Sequence, residues 1–239
     1  MIVSINQPAY LPWPGYFHRI AASDKHIVLD HVQFEKNSFT NRNKIRTKDG
    51  WCWLTVPVVT SKRFGNLRID ELEIVAHSRW AEKHTAALKT YYSKAPHYRC
   101  YAGFFEKIYR TEWQNLKALM WEINRQLLKE FAVETPVLFS SKMKSSGTKD
   151  ELILNLCREA EATTYLSGLL GRQYLREALF EKAGIKVIYD DFESPTYPQV
   201  YPDFVPGLSA VDLLFNLGPE ASRIFIHGKS EQTVKGARS

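Results

Sequence analysis

The chain has 239 residues and a mass of 27.6 kDa, enough for one large domain or two small ones with a sizeable core. Its composition is 44% hydrophobic and 24% charged with only 12 Gly and 11 Pro, which excludes a fibrous repeat or wholesale disorder. Cys52, Cys100 and Cys157 lie far apart, which argues against a disulfide framework or a Cys-x-x-Cys site and fits a reducing compartment.

A net charge of +6 suits an anionic small-molecule substrate such as a nucleotide or phosphosugar and falls short of a dedicated nucleic-acid binder. Ten Lys or Arg against five Glu between residues 78 and 131 supply most of that excess. The N-terminus has no basic leader, and no run reaches the roughly 18 apolar residues of a membrane span. A soluble cytoplasmic protein without membrane insertion is expected.

Ile2 to Ile5 is a β-branched run, followed by the Pro-rich turn Gln7–Gly15 and a helical pattern through Phe17, Ile20 and Ala21. His26 to Asp30 is a second buried strand, so the first thirty residues read as a βαβ unit of a parallel sheet. Residues 31 to 50 look polar and irregular. Trp51 to Val59 and Leu67 to Val75 then read as a β-hairpin around a loop at Ser61–Asn66. Ser78 to Phe131 has helical period, broken at Ala95–Pro96, and predicts two or three inserted helices.

Strand and helix then alternate: strand Val137–Ser140, helix Lys149–Ala162, strand Thr163–Ser167, helix Arg172–Ala183, strand Ile185–Asp190, and a last helix at about Ser209–Leu217. The expected fold is α/β, a doubly wound, Rossmann-like parallel sheet with an inserted helical region and a hairpin. Residues 1–227 are expected to form a single domain, and 228–239 a disordered tail.

Ligands of such sheets bind beyond the carboxyl ends of the strands, where strand order reverses. Three loops should converge there. In the first, Gln7, Tyr10, Trp13 and Gly15 approach the start of the first helix, an anion position. Its placement resembles the x-Pro-Gly-His signature of nucleotidylyltransferases, but Trp13 and Tyr16 stand where that superfamily has histidines; a rigid Pro and aromatic plug is the alternative. The second offers Asn41 and Asn43 for hydroxyls or base edges, Arg42 for a bidentate grip and Lys44 as a point charge, or simply closes turns. The third, Ser167–Gly168–Leu169–Leu170–Gly171–Arg172, precedes a helix as a phosphate loop would, without matching a Walker or dinucleotide fingerprint. Asp190 ends a strand, where a carboxylate can act as base or metal ligand, and Asp212 lies where it can line the same crevice. Histidine spacing gives no metal signature and no catalytic triad.

Gln7–Phe17, Leu29–Phe34, Asn41–Ile45, Trp51 with Leu54–Val58, Thr164–Gly168 and Asp212–Asn216 together resemble the WbqC-like family over nearly the whole chain. That resemblance implies a role around O-antigen or related surface-polysaccharide biosynthesis in bacteria and no particular reaction. The expectation is a transferase or ligase acting on a nucleotide-activated amino sugar or related molecule. Tyr16, Lys44 and Asp190 are its catalytic candidates, and the remaining loop residues and Asp212 bind substrate. The cofactor is open; ATP or a nucleotide sugar, with or without Mg²⁺, is compatible, and no metal ligand is assigned. The alternatives are a non-catalytic binding module of the same cleft, or an RNA-dependent aminoacyl transferase docking RNA on the helices of 78–131.

Overall fold

The computed structural model describes residues 1–60 and 67–226. The expected loop at Ser61–Asn66 and the tail 228–239 lie outside the described residues. Seven strands are present among those described: β1 (Ile2–Asn6), β2 (Lys25–Val28), β3 (Arg42–Thr47), β4 (Gly50–Thr55), β5 (Val137–Phe139), β6 (Thr164–Gly168) and β7 (Lys186–Asp190). Five form a parallel sheet in the order β5-β2-β1-β6-β7. The chain builds outward from β1 in one direction and returns to build outward in the other. The expected α/β, doubly wound fold is therefore present, and its strand order reverses between β1 and β6.

Helices cover both faces of the sheet, as continuous apolar strands require. On one side Val3, Ile5 and Ile27 pack against Leu152, Ile153 and Leu156 of α5 (Lys149–Glu159) and Phe180 of α6 (Glu177–Lys182). On the other lie α1 (Pro14–Ala21) and the inserted helices α2 (Trp80–Tyr92), α3 (Tyr98–Arg110) and α4 (Leu116–Glu130), with α7 (Ala210–Leu217) among them. Proline at the first turn starts α1 with its φ already suited to a helix. Asn115 caps α4 by accepting from the Ala118 N–H, and Ser209 caps α7 by accepting from Val211 N–H. A final short helix, α8 (Arg223–Ile226), lies beside α1.

The ribbon differs from expectation. The segment read as irregular contains β3, and β3 pairs antiparallel with β4 from Arg42–Thr55 to Thr47–Gly50. Strand period was masked because its outward positions are Arg42 and Lys44 and its inward ones include Asn43, a polar residue whose side chain donates to Leu11 O at 2.7 Å. Val58 and Ile74 do meet in an antiparallel bridge, so the expected pairing survives as a short stretch. The expected helix from Arg172 begins as a 3-10 turn, Leu169–Gln173, and becomes α-helical only at Glu177.

Candidate functional site

The strand reversal opens a cleft of about 640 Å³. Asn6 and Gln7 leave β1, Ser167 to Gly171 leave β6, and Asp190 and Phe192 leave β7; Trp13, Pro14, Gly15 and Arg19 of the α1 end complete the wall. The register Ser4–Leu166 brings Asn6 level with Gly168, so two strand ends and a helix start face one another.

Arg19 organises this floor. It follows Gly15 by one helical turn and so shares its face of α1. Its guanidinium donates to Asn6 Oδ1 and, at 3.4 Å, to Asp190 Oδ2. It lies flat on Gly168, where a Cβ would come within 2.7 Å of it. Asp190 is 4% exposed and its second oxygen accepts from His18 Nδ1–H at 3.0 Å. The His18 ring stacks on Phe192 at 4.5 Å. Gly15 leaves room for that arrangement, since its Cβ would sit 3.1 Å from both Phe192 and the Trp13 indole. No acidic residue occupies the first turn of α1 and no side chain caps it, so its N-terminal partial positive charge is unopposed there. The buried Asn6 Nδ2 has no hydrogen-bond partner.

Of the residues expected to converge, the cleft contains Gln7, Trp13, Gly15, Ser167, Gly168 and Asp190. Tyr10 is instead fully buried, with its hydroxyl between Tyr109 and His84. Tyr16 packs edge-on against Trp13, Phe17 and His26, and burial pushes its phenol well above the ordinary range. Asn41 donates to Val56 O at 2.9 Å, and Asn43 holds the Pro-rich turn through Leu11, a residue with φ 47°. Arg42 and Lys44 project from the ribbon over Trp53 and Trp51. Arg172 lies over the Tyr189 ring at 4.8 Å.

Asp212 is fully buried and accepts from Tyr92 Oη at 2.8 Å, Tyr197 Oη at 2.7 Å and Gln199 Nε2 at 3.0 Å. Burial nonetheless raises its pKa above the ordinary carboxylate value, against the pull of those three donors. It is a packing hub joining α2, α7 and the 197–205 segment.

Residues that spacing alone did not single out complete the picture. Asn6 and Arg19 were legible only through topology: the last residue of β1 and the i+4 neighbour of Gly15. A second polar cluster gathers at the ends of β2 and β5. Asp30 accepts from Ser140 Oγ at 3.0 Å, from Ser141 N and Oγ at 2.8 and 2.7 Å, and from the Lys117 ammonium. Burial alone would raise this carboxyl; the Lys117 and Ser141 hydrogen bonds outweigh it and hold it below the ordinary value. Ser140 Oγ gives its proton to Asp30 and accepts from His31 Nδ1 at 2.6 Å and Asp30 N at 3.1 Å. The hydroxyl is fully committed, and the set fastens α4 to the strand ends.

Among the described residues no group of three or more His, Cys, Asp or Glu side chains could hold a metal ion, and no helix is long and apolar enough to cross a membrane.

The profile of the WbqC-like protein family matches residues 7–224. The chain is also 36% identical over 221 residues to a Mycobacterium tuberculosis (strain ATCC 25618 / H37Rv) protein named "Uncharacterized protein Rv1507c", covering 92% of this chain and 95% of that one. No solved structure matches. The family profile extends across the segments that build the cleft, from Gln7 through Asp190, and the chain belongs to the WbqC-like protein family.

Proposed function

We propose that the cleft binds a nucleotide-activated small molecule, such as a nucleotide-linked amino sugar, and that the protein is a cytoplasmic transferase or ligase of bacterial surface-polysaccharide biosynthesis. One observation carries this reading: the Arg19 guanidinium is fixed between Asn6, Asp190 and the bare backbone of Gly168, beside the uncapped start of α1, at the strand reversal. Fixed donors and a helix N-terminus at that point favour a diphosphate. Asn6 Nδ2, buried without a partner, supplies a further donor.

Catalysis in this reading is positioning and charge stabilisation. Asp190 has both oxygens engaged, so it orients His18 and Arg19 instead of acting as a free base. With Nδ1 committed to Asp190, His18 has Nε2 left as its uncommitted ring nitrogen, the arrangement of a base for an incoming amine or hydroxyl. Tyr16 and Lys44 take no part in the cleft chemistry.

The binding-module alternative is favoured by a different fact: His18 is only 6% exposed beneath Phe192. Thermal unfolding with ATP, CTP, UDP- and dTDP-sugars, each with and without Mg²⁺, tests the reading. A ligand at about 100 times its dissociation constant adds roughly 2.7 kcal/mol, or some 5–11 °C for a chain of this size. Arg19→Lys keeps a charge but loses the fork, and its shift is expected to fall by more than half. Equal shifts in both proteins, or none with any nucleotide, would contradict the assignment; turnover then separates enzyme from binding module.

A further inference from the structure

A ladder of aromatic rings runs out of the cleft. Trp13 of its wall meets Phe39 at 5.4 Å, Phe39 meets Trp53 at 5.8 Å, and Trp53 meets Trp51 at 5.7 Å between centroids. Phe39 is 42% and Trp51 45% exposed, unusual for rings of this size. Cations sit between them. Arg42 lies 4.2 Å from the Trp53 centroid, and Lys44 lies 4.1 Å from that of Trp51 and 5.4 Å from that of Trp53.

The β3–β4 register explains the arrangement: Arg42 pairs with Thr55, Lys44 with Trp53 and Arg46 with Trp51, so these six share one face, of which all but the buried Arg46 reach the surface, while Asn43, Ile45 and Leu54 turn to the other. The Arg42 guanidinium donates from one terminal nitrogen to Asn37 O at 2.5 Å, and its Nε is buried with no hydrogen-bond partner. Beyond Trp53 a groove of about 550 Å³ separates β4 from α2, with Trp80, Tyr91, Lys83 and Arg79 on its walls. There the ladder reaches the helical region that holds most of the excess positive charge.

We propose that this face binds single-stranded nucleic acid, with bases against the exposed rings and phosphates on Arg42, Lys44 and Lys83. Aromatic rings interleaved with cations are the general solution for an extended strand whose bases all offer a π-face. The donor inventory separates this ligand from an oligosaccharide. The outward face carries guanidinium, ammonium and indole groups, which only donate, and a single Thr55 hydroxyl; the nearby amides Asn41 and Asn43 are turned inward onto backbone carbonyls. Phosphodiesters only accept, whereas sugar hydroxyls must also donate. The proposal goes beyond the small-molecule reading of the cleft and stands without it.

Fluorescence anisotropy with labelled 12-nucleotide single strands of RNA and DNA, a 12-base-pair duplex and an acidic oligosaccharide tests it. Single strands are expected to bind more tightly than the duplex, with affinity falling linearly in log[salt]. Trp51→Ala should weaken single-strand binding roughly 5- to 100-fold with an unchanged salt slope, and Lys44→Ala should lower the slope by about 0.7. Both side chains are surface groups, so unchanged thermal unfolding of the variants serves as the folding control. No single-strand binding at low salt, equal binding of the duplex, wild-type affinity in Trp51→Ala, or preferential binding of the oligosaccharide would each overturn the proposal. RNA and DNA arms that differ identify the 2′-hydroxyl as part of the recognition.

Discussion

His26 and His84 are interior imidazoles, and burial lowers them from about 6.5 to about 3 and about 4, with Arg19 adding to the effect at His26 and a hydrogen bond to the Thr55 backbone opposing it at His84. Their roles fit neutral rings: His26 Nδ1 meets Ser4 Oγ at 2.8 Å, and His84 Nδ1 meets the Tyr10 hydroxyl at 2.8 Å. Because the folded values are depressed, the unfolded chain binds more protons below pH 6.5. The stability they contribute is therefore fully present above that pH and is lost as pH falls towards 4, at up to about 1.4 kcal/mol per pH unit for each ring. Urea unfolding at pH 7 and pH 5 should show this loss, and His26→Gln should show a smaller difference between the two. A stability that does not change between pH 7 and pH 5 would contradict the assignment. Neither role was legible in the sequence, because an isolated histidine carries no sign of whether it faces solvent, a ligand or a serine across a sheet.

The ribbon is held by Arg46, 2% exposed, which donates to the carbonyls of Thr47, Gly50, Pro202 and Asp203. Only the fork of a guanidinium can reach four acceptors in this way. It ties the β3–β4 turn to the 197–205 segment, whose other anchor is the Asp212 hub. Arg46→Ala removes a fully buried side chain and leaves those part-buried carbonyls without its donors, and is expected to cost on the order of 3–5 kcal/mol. Limited proteolysis is expected to cut the variant first around residues 201–205 while the wild type resists; a variant as stable and as resistant as wild type would refute the clamp.

At this scale the long periodic helices and the alternating sheet strands were readable, since apolar period fixes both. The hairpin was not, because β3 hides its period behind charged outward positions and a buried asparagine. The 3-10 start at Leu169 escaped for another reason: Gly171 packs so closely on Ser167 that a Cβ would sit 2.1 Å from its Oγ, a tertiary contact that periodicity does not report.

For the molecule as a whole, topology decides which loops meet. The order β5-β2-β1-β6-β7 brings the ends of β1, β6 and β7 to one cleft, to which the segment after β2 adds Leu29 and Glu35 before it feeds the ribbon. The expectation of a doubly wound sheet therefore brings Gln7, Gly15, Gly168 and Asp190 to the cleft, whereas Arg42, Asn43 and Lys44 lie further along the second loop, in the ribbon. Arg19 emerges as the central group only when α1 and three strand ends are assembled around it.

The direct test uses Gly168→Ala. Gly168 has φ −72° and ψ 160°, a conformation open to alanine, so the substitution acts only through its Cβ, 2.7 Å from the Arg19 guanidinium. Isothermal titration of a nucleoside diphosphate into both proteins should give at least a ten-fold weaker affinity for Gly168→Ala, with a cooperative unfolding transition of the variant serving as the folding control. Equal affinity in the two proteins, or no binding of any nucleoside diphosphate by the wild type at millimolar concentration, would contradict the account of the cleft.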